Sequence, residues 1–207
     1  MIKKHQGFTI VELLVVIGVI AILSFISVSA INGLSDRANA AKAASVVKQY
    51  VQLLEMYRTD NGRYPSSTSP EYPSQPTTCL GRSTDFPATT TPVPAELCFM
   101  ATYNFAYQFS YSSSLITSLS AYGTAPDGRL SKQFLFDSEY WRGATYYVGA
   151  TQTSPFYFNG APFQTVIIDW KVKGNDPKLC MLPGWEFTPS SSDGFTHCEI
   201  YRRVPIG

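Results

Sequence analysis

The sequence predicts an α+β protein, with one long N-terminal helix packed against an antiparallel β-sheet in the C-terminal part. Three observations carry this. An apolar run with no charged residue extends from Leu13 to Ser35. Helical spacing of apolar residues then continues from Ala40 to Tyr57. After Pro65 the pattern changes to short period-two stretches separated by turn residues. With 207 residues the chain has room for one membrane segment and one soluble domain of ordinary size. The expected organisation is a leader at 1–7, an apolar helix at 8–31, its amphipathic continuation at 32–62 and a β-rich extracytoplasmic domain at 63–207.

The first element opens with Lys3, Lys4 and His5 and becomes apolar after Gly7. About 20 helical residues cross a bilayer core of roughly 30 Å, so the run is long enough to span. By the positive-inside rule the lysines hold the N-terminus in the cytoplasm, and residues after Ile31 face outward. Glu12 is the exception inside the apolar stretch. A bare carboxylate there costs several kcal/mol and needs a partner. A secretory signal peptide has a shorter apolar core than this one, followed by a small-residue cleavage site. A plain signal anchor fits the length and leaves Glu12 unexplained. The third reading places processing before the apolar run, between Gly7 and Phe8.

The stretch Lys3-Lys4-His5-Gln6-Gly7-Phe8-Thr9-Ile10-Val11-Glu12-Leu13 resembles the leader and mature N-terminus of type IV pilins and pseudopilins. The resemblance is tight over residues 1–31 and extends to about residue 65, through Tyr57-Arg-Thr-Asp-Asn-Gly-Arg-Tyr-Pro65. It implies a pilin-like fold, cleavage after Gly7 by a prepilin peptidase and N-methylation of Phe8. It also implies that Glu12 meets the cationic N-terminus of a neighbouring subunit, which makes it an assembly residue. The implied partners are other copies of the chain, the peptidase and an inner-membrane assembly platform. The implied role is a structural subunit of a type IV pilus-like filament, exposed on the cell surface and serving such ends as adhesion. The alternatives are a pseudopilin of a type II secretion or DNA-uptake system, or a monomeric membrane-anchored binding module.

The second half of the helix carries Ala40, Ala43, Val47, Tyr50, Leu54 and Tyr57 on one stripe, widened by Val46, Val51 and Leu53. Lys42, Ser45, Gln49, Gln52 and Glu55 fall on the other side. Asn61-Gly62 supplies a stop and Pro65 prevents resumption. A helix from Phe8 to Asp60 would be about 80 Å long. Gly18 and Asn32-Gly33 are points where it would bend or melt most easily.

Residues 65–95 are rich in Pro, Ser and Thr and read as a surface loop. No Asn-x-Ser/Thr sequon occurs in the chain. Tyr103, Phe105, Tyr107, Phe109 and Tyr111 alternate as a strand with one buried face. Leu115, Ile116, Leu119 and Tyr122 follow helical spacing before Gly123. Further strands are expected at 133–137, 145–149, 165–173 and 198–203, with Val166, Ile168, Trp170 and Val172 sharing a face.

The cysteines are Cys79, Cys98, Cys180 and Cys198, all on the outward side, where disulfides persist. No CxxC is present, which disfavours a zinc ribbon or a redox site. Of three connectivities, Cys79–Cys98 with Cys180–Cys198 is preferred because each closes a local loop; the crossed pairings stay open on spacing alone. The second loop resembles the C-terminal disulfide loop of pilins.

Catalytic signatures are missing from the sequence: there is no HExxH, GxSxG, P-loop or dinucleotide fingerprint, and the two histidines are His5 and His197. No enzymatic activity and no cofactor are expected. The net charge of +1 argues against a nucleic-acid footprint built on bulk basicity. Asp127-Gly128, Asp137 with Glu139, and Asp176 or Asp193 offer oxygen atoms, but none matches a spaced calcium loop, so no metal ligand is assigned.

Overall fold

The structure is a computed structural model that describes residues 10–68, 77–86, 97–101, 106–135, 138–152, 163–173, 177–192 and 195–205. The chain divides into two units, Met1–Ala38 and Asn39–Gly207. Helix α1 covers Ile10–Asn61 and is helical through Gly18 and Gly33, so the weak points expected there do not interrupt it. In the second unit α1 is one-sided. Ala40, Ala43, Val46, Val47, Tyr50, Val51, Leu53 and Leu54 are buried, while Lys42, Ser45, Gln49 and Gln52 are exposed. The helix ends as its residues dictate. Gly62 has φ +70°, and its N–H donates to the Arg58 carbonyl at 2.8 Å, a left-handed cap that a side chain would strain.

Nine strands are present among the described residues: β1 (Thr77–Leu80), β2 (Leu97–Ala101), β3 (Ala106–Ser110), β4 (Ser131–Leu135), β5 (Ser138–Arg142), β6 (Ala144–Gln152), β7 (Phe163–Lys173), β8 (Glu186–Ser192) and β9 (Phe195–Pro205). They form two sheets rather than one. The larger is antiparallel in the order β1-β6-β7-β9-β8. The smaller runs β3-β2-β5-β4 and contains one parallel contact, between β2 and β5. Helix α2 (Ser113–Ser120) is capped by the Ser112 hydroxyl, which accepts from the Leu115 N–H at 3.3 Å, and it buries Leu115 and Leu119.

The core lies between the second half of α1 and the larger sheet. On β7 the residues Val166, Ile168, Trp170 and Val172 are buried, as their alternation predicts. On β9 the matching face is Thr196, Cys198 and Ile200, in register with Val172, Trp170 and Ile168. The segment leaving α1 is stapled across β6 and β7. The Gln164 side chain accepts from the Tyr64 N–H at 2.8 Å and donates to the Tyr64 carbonyl at 3.3 Å. The Ser67 hydroxyl accepts from the Val148 N–H at 2.9 Å.

The expected loop at 65–95 is corrected in part: it contains β1 and a 3₁₀ turn at Ser83–Asp85. Strands β2, β5 and β8 were also unmarked in the sequence. Strand β8 carries Pro189 and three serines, and it tolerates them because it is an edge strand. Of the aromatic alternation, Tyr103 and Phe105 lie outside the described residues, and the rest forms β3 with Tyr111 in an isolated bridge to Cys79.

The structure joins Cys79 to Cys98 and Cys180 to Cys198. The first bond links the edge strand β1 of one sheet to β2 of the other, with Phe86 packed beside it. The second ties the 3₁₀ turn Pro177–Cys180 to the core face of β9, and the loop it closes is mostly the β8–β9 hairpin.

Candidate assembly site

The first half of α1 differs from every other element. From Ile10 to Phe25 all residues are exposed, and the large apolar ones point to every side of the helix. Ile10 is 79% exposed and Phe25 76%. A helix that is apolar all round belongs in a membrane or in the interior of a larger assembly. Its few polar groups are placed to suit that. The Ser24 hydroxyl donates to the Ile20 carbonyl at 2.8 Å and so carries no unmet hydrogen bond into an apolar setting. Glu12 sits in the first turn, where the helix dipole favours a negative charge. Among the described residues a Cβ added at Gly18 would meet nothing within 4 Å, so none of them requires the glycine. Between helices, a small residue there lets backbones approach. The expected cleavage residues, Gly7 and Phe8, lie outside the described residues. Among the described residues, no helix is long and apolar enough to cross a membrane.

The globular unit holds a second constellation, centred on a carboxylate that helical spacing puts on the polar side of α1. Glu55 was placed on the outer face of α1, but it is half-buried and receives three donors. The Tyr64 hydroxyl and Arg202 Nη1 each donate to its Oε1 at 2.6 Å, and Arg58 Nε donates to Oε2 at 2.9 Å. Burial pushes the Glu55 carboxyl up, but the Tyr64 hydroxyl and the two guanidiniums outweigh it and hold the carboxyl below its ordinary value. Burial and the Glu55 charge together raise the Tyr64 phenol. The signal for this cluster was available in β9. The parity that buries Cys198 and Ile200 also turns Arg202 toward the helix, where a cation needs a partner.

A second hidden carboxylate is Asp85. Its Oδ2 accepts from the backbone N–H groups of Arg82 and Gly128 at 2.9 and 3.0 Å, and Arg82 Nη2 reaches Oδ1 at 2.8 Å. Gly128 is required there, since a Cβ would collide with the Leu80 carbonyl. Asp127, considered above for calcium, is instead held by Arg129, whose Nε donates to Oδ1 at 2.8 Å and keeps the carboxyl below its usual range. Asp137, Asp176 and Asp193 lie outside the described residues. Among the described residues no three His, Cys, Asp or Glu side chains gather as a metal site. On the outer face of the larger sheet, His197 Nε2 lies 3.0 Å from Asp169 Oδ1. Burial and neighbouring Asp169 raise the Glu199 carboxyl beside them, against the opposing pull of His197.

Comparison with known families adds one finding. Residues 2–28 match the prokaryotic N-terminal methylation motif, the signature of type IV pilins and pseudopilins. Searches of curated proteins and of solved structures find no match. The chain is thus a bearer of the pilin-type motif, which among the described residues includes the exposed apolar side chains of Ile10–Phe25.

Proposed function

We propose that the chain is a structural subunit of a type IV pilus-like filament. The precursor is inserted by its apolar helix, with the globular unit outside the cytoplasmic membrane. Prepilin peptidase cuts between Gly7 and Phe8 and methylates Phe8, and the subunits then polymerise through their N-terminal helices. The observation that carries this reading is the all-round apolar surface of Ile10–Phe25, lying within the methylation motif and bearing Glu12 in its first turn.

The mechanism is physical. Lipid tails are as apolar as leucine, so moving the helix from bilayer to filament gains little hydrophobic energy and relies on close packing, to which Gly18 contributes. The α-amino group of Phe8, with an ordinary pKa near 8, is a cation at neutral pH. Placed against Glu12 of the next subunit, it neutralises the carboxylate. Removing either partner of a buried pair costs roughly 3–5 kcal/mol, so only the register that pairs them is stable. The pairing converts a costly charge into an axial ruler.

The test is intact and N-terminal peptide mass spectrometry of chain sheared from the surface of its own cells. A mature chain beginning at N-methylated Phe8 in the sheared fraction supports the filament. The same processed chain confined to membranes would replace it with a pseudopilin reading, and an uncut Met1 would leave a membrane-anchored binding module.

A further inference from the structure

From the geometry of a cleft at the C-terminal end of α1, we propose that this protein binds an acidic saccharide, of the hexuronic or sialic acid type. The cleft measures about 600 Å³, within the range of roughly 300–1,000 Å³ typical of small-ligand sites. Three elements enclose it: the end of α1 and the chain leaving it, α2, and the β6–β7 pair. Leu115 and Tyr64 form a buried floor. Tyr57, half-buried and set edge-on to Tyr122 at 5.9 Å between ring centroids, supplies an aromatic wall.

The polar groups decide the ligand. Arg63 lines the cleft and is exposed, and its guanidinium makes no hydrogen bond or ion pair among the described residues. The Ser118 hydroxyl, on the facing side of α2, is also without a hydrogen-bond partner there. Ser66 and Ser114 add further hydroxyls. A five-donor planar cation matches a carboxylate in two-point geometry. Hydroxyls that both donate and accept match sugar hydroxyls, and an aromatic wall suits the apolar face of a pyranose.

The other ligand classes fit less well. A nucleic-acid strand needs several phosphate contacts, and the cleft presents a single arginine. A peptide adding as a strand would need the Val148 N–H, which already donates to Ser67. An apolar ligand would strip water from the serines without replacing their hydrogen bonds. This proposal does not depend on the filament reading, because the cleft lies wholly within the globular unit.

The experiment is isothermal titration of the full chain in detergent micelles with cellobiouronic acid and with cellobiose, which differ by one carboxylate. The acidic disaccharide should bind at least about tenfold more tightly, the factor expected of one charge-assisted contact. Arg63→Gln should erase that difference. Because Arg63 has no partner among the described residues, near-ultraviolet circular dichroism of this variant should be unchanged. Ser118→Leu, which fills the cleft, should weaken both sugars. The proposal is overturned if neither sugar saturates by about 20 mM, if both bind equally, or if Arg63→Gln retains the preference. Tighter binding of an oligothymidylate than of cellobiouronic acid would overturn it in favour of a nucleic-acid ligand.

Discussion

The two halves of α1 share one backbone geometry and have opposite fates. Between Ala40 and Leu54, apolar residues occupy one stripe and are covered by the chain's own sheet, while lysine, serine and glutamine occupy the other. Between Ile10 and Phe25 no polar stripe exists, and no described residue covers the surface. The difference lies in side-chain distribution rather than helix propensity. A one-sided helix is completed by its own domain, whereas an all-round apolar helix is completed only by lipid or by other chains.

Four experiments break or sharpen this contrast. The largest effect is expected from Glu12→Ala: sheared filament should fall by at least about tenfold with the membrane-inserted amount unchanged, since a lost pairing of about 3–5 kcal/mol far exceeds that factor. Immunoblots of sheared and membrane fractions read it out, and undiminished filament would remove the assembly role from the first half. Next, Leu54→Ala should lower the unfolding free energy of the globular unit by roughly 2–5 kcal/mol, and Leu14→Ala by less than about 0.5 kcal/mol. Denaturant titration of the full chain in micelles, followed by tryptophan fluorescence, measures both. Equal losses would mean that the first half also packs within its own chain.

A third comparison concerns covalent support. Both disulfides lie in the unit that completes itself. Replacing Cys180 and Cys198 together with serine should cost about 3 kcal/mol on the chain-entropy account, in the same titration. The smallest effect is on pH dependence. Glu55 is held below its ordinary pKa, so its contribution is present above the unfolded value and is lost as pH falls through the folded one. Glu199 is held above its ordinary pKa, so its contribution is present at low pH and is lost as pH rises through the folded value. Across about pH 3–6, Glu55→Gln should therefore flatten the acid limb of the stability curve, and Glu199→Gln should steepen it. Parallel shifts in both variants would contradict these opposite environments.

Much of this was legible in the residues. Strong periodicity exposed α1, its stop at Gly62, its buried stripe, α2, and strands β7 and β9. What escaped was short or compositionally disguised. Strand β1 is Thr77-Thr-Cys-Leu80 amid prolines and serines, and β8 carries Pro189, which only an edge position accommodates. Their pairing is set by partners far away in sequence, to which local propensity is blind. At the candidate assembly site, the methylation motif was legible because it is contiguous, over residues 2–28. The Glu55 cluster was not, because it joins residues 147 positions apart and helical spacing alone puts Glu55 on the side away from the buried stripe.

The order of the cysteines has a further consequence for how the fold is reached. Cys79 pairs with Cys98 and Cys180 with Cys198, so the two bonds follow one another along the chain and do not interleave. When a polypeptide emerges N-terminus first into an oxidising space, the first two thiols to meet are the native partners, well before the third appears. First-come oxidation then gives the correct pairing without reshuffling. The apolar first half of α1 precedes both pairs in the chain, so under the function proposed above this oxidation takes place on a chain already held in the membrane.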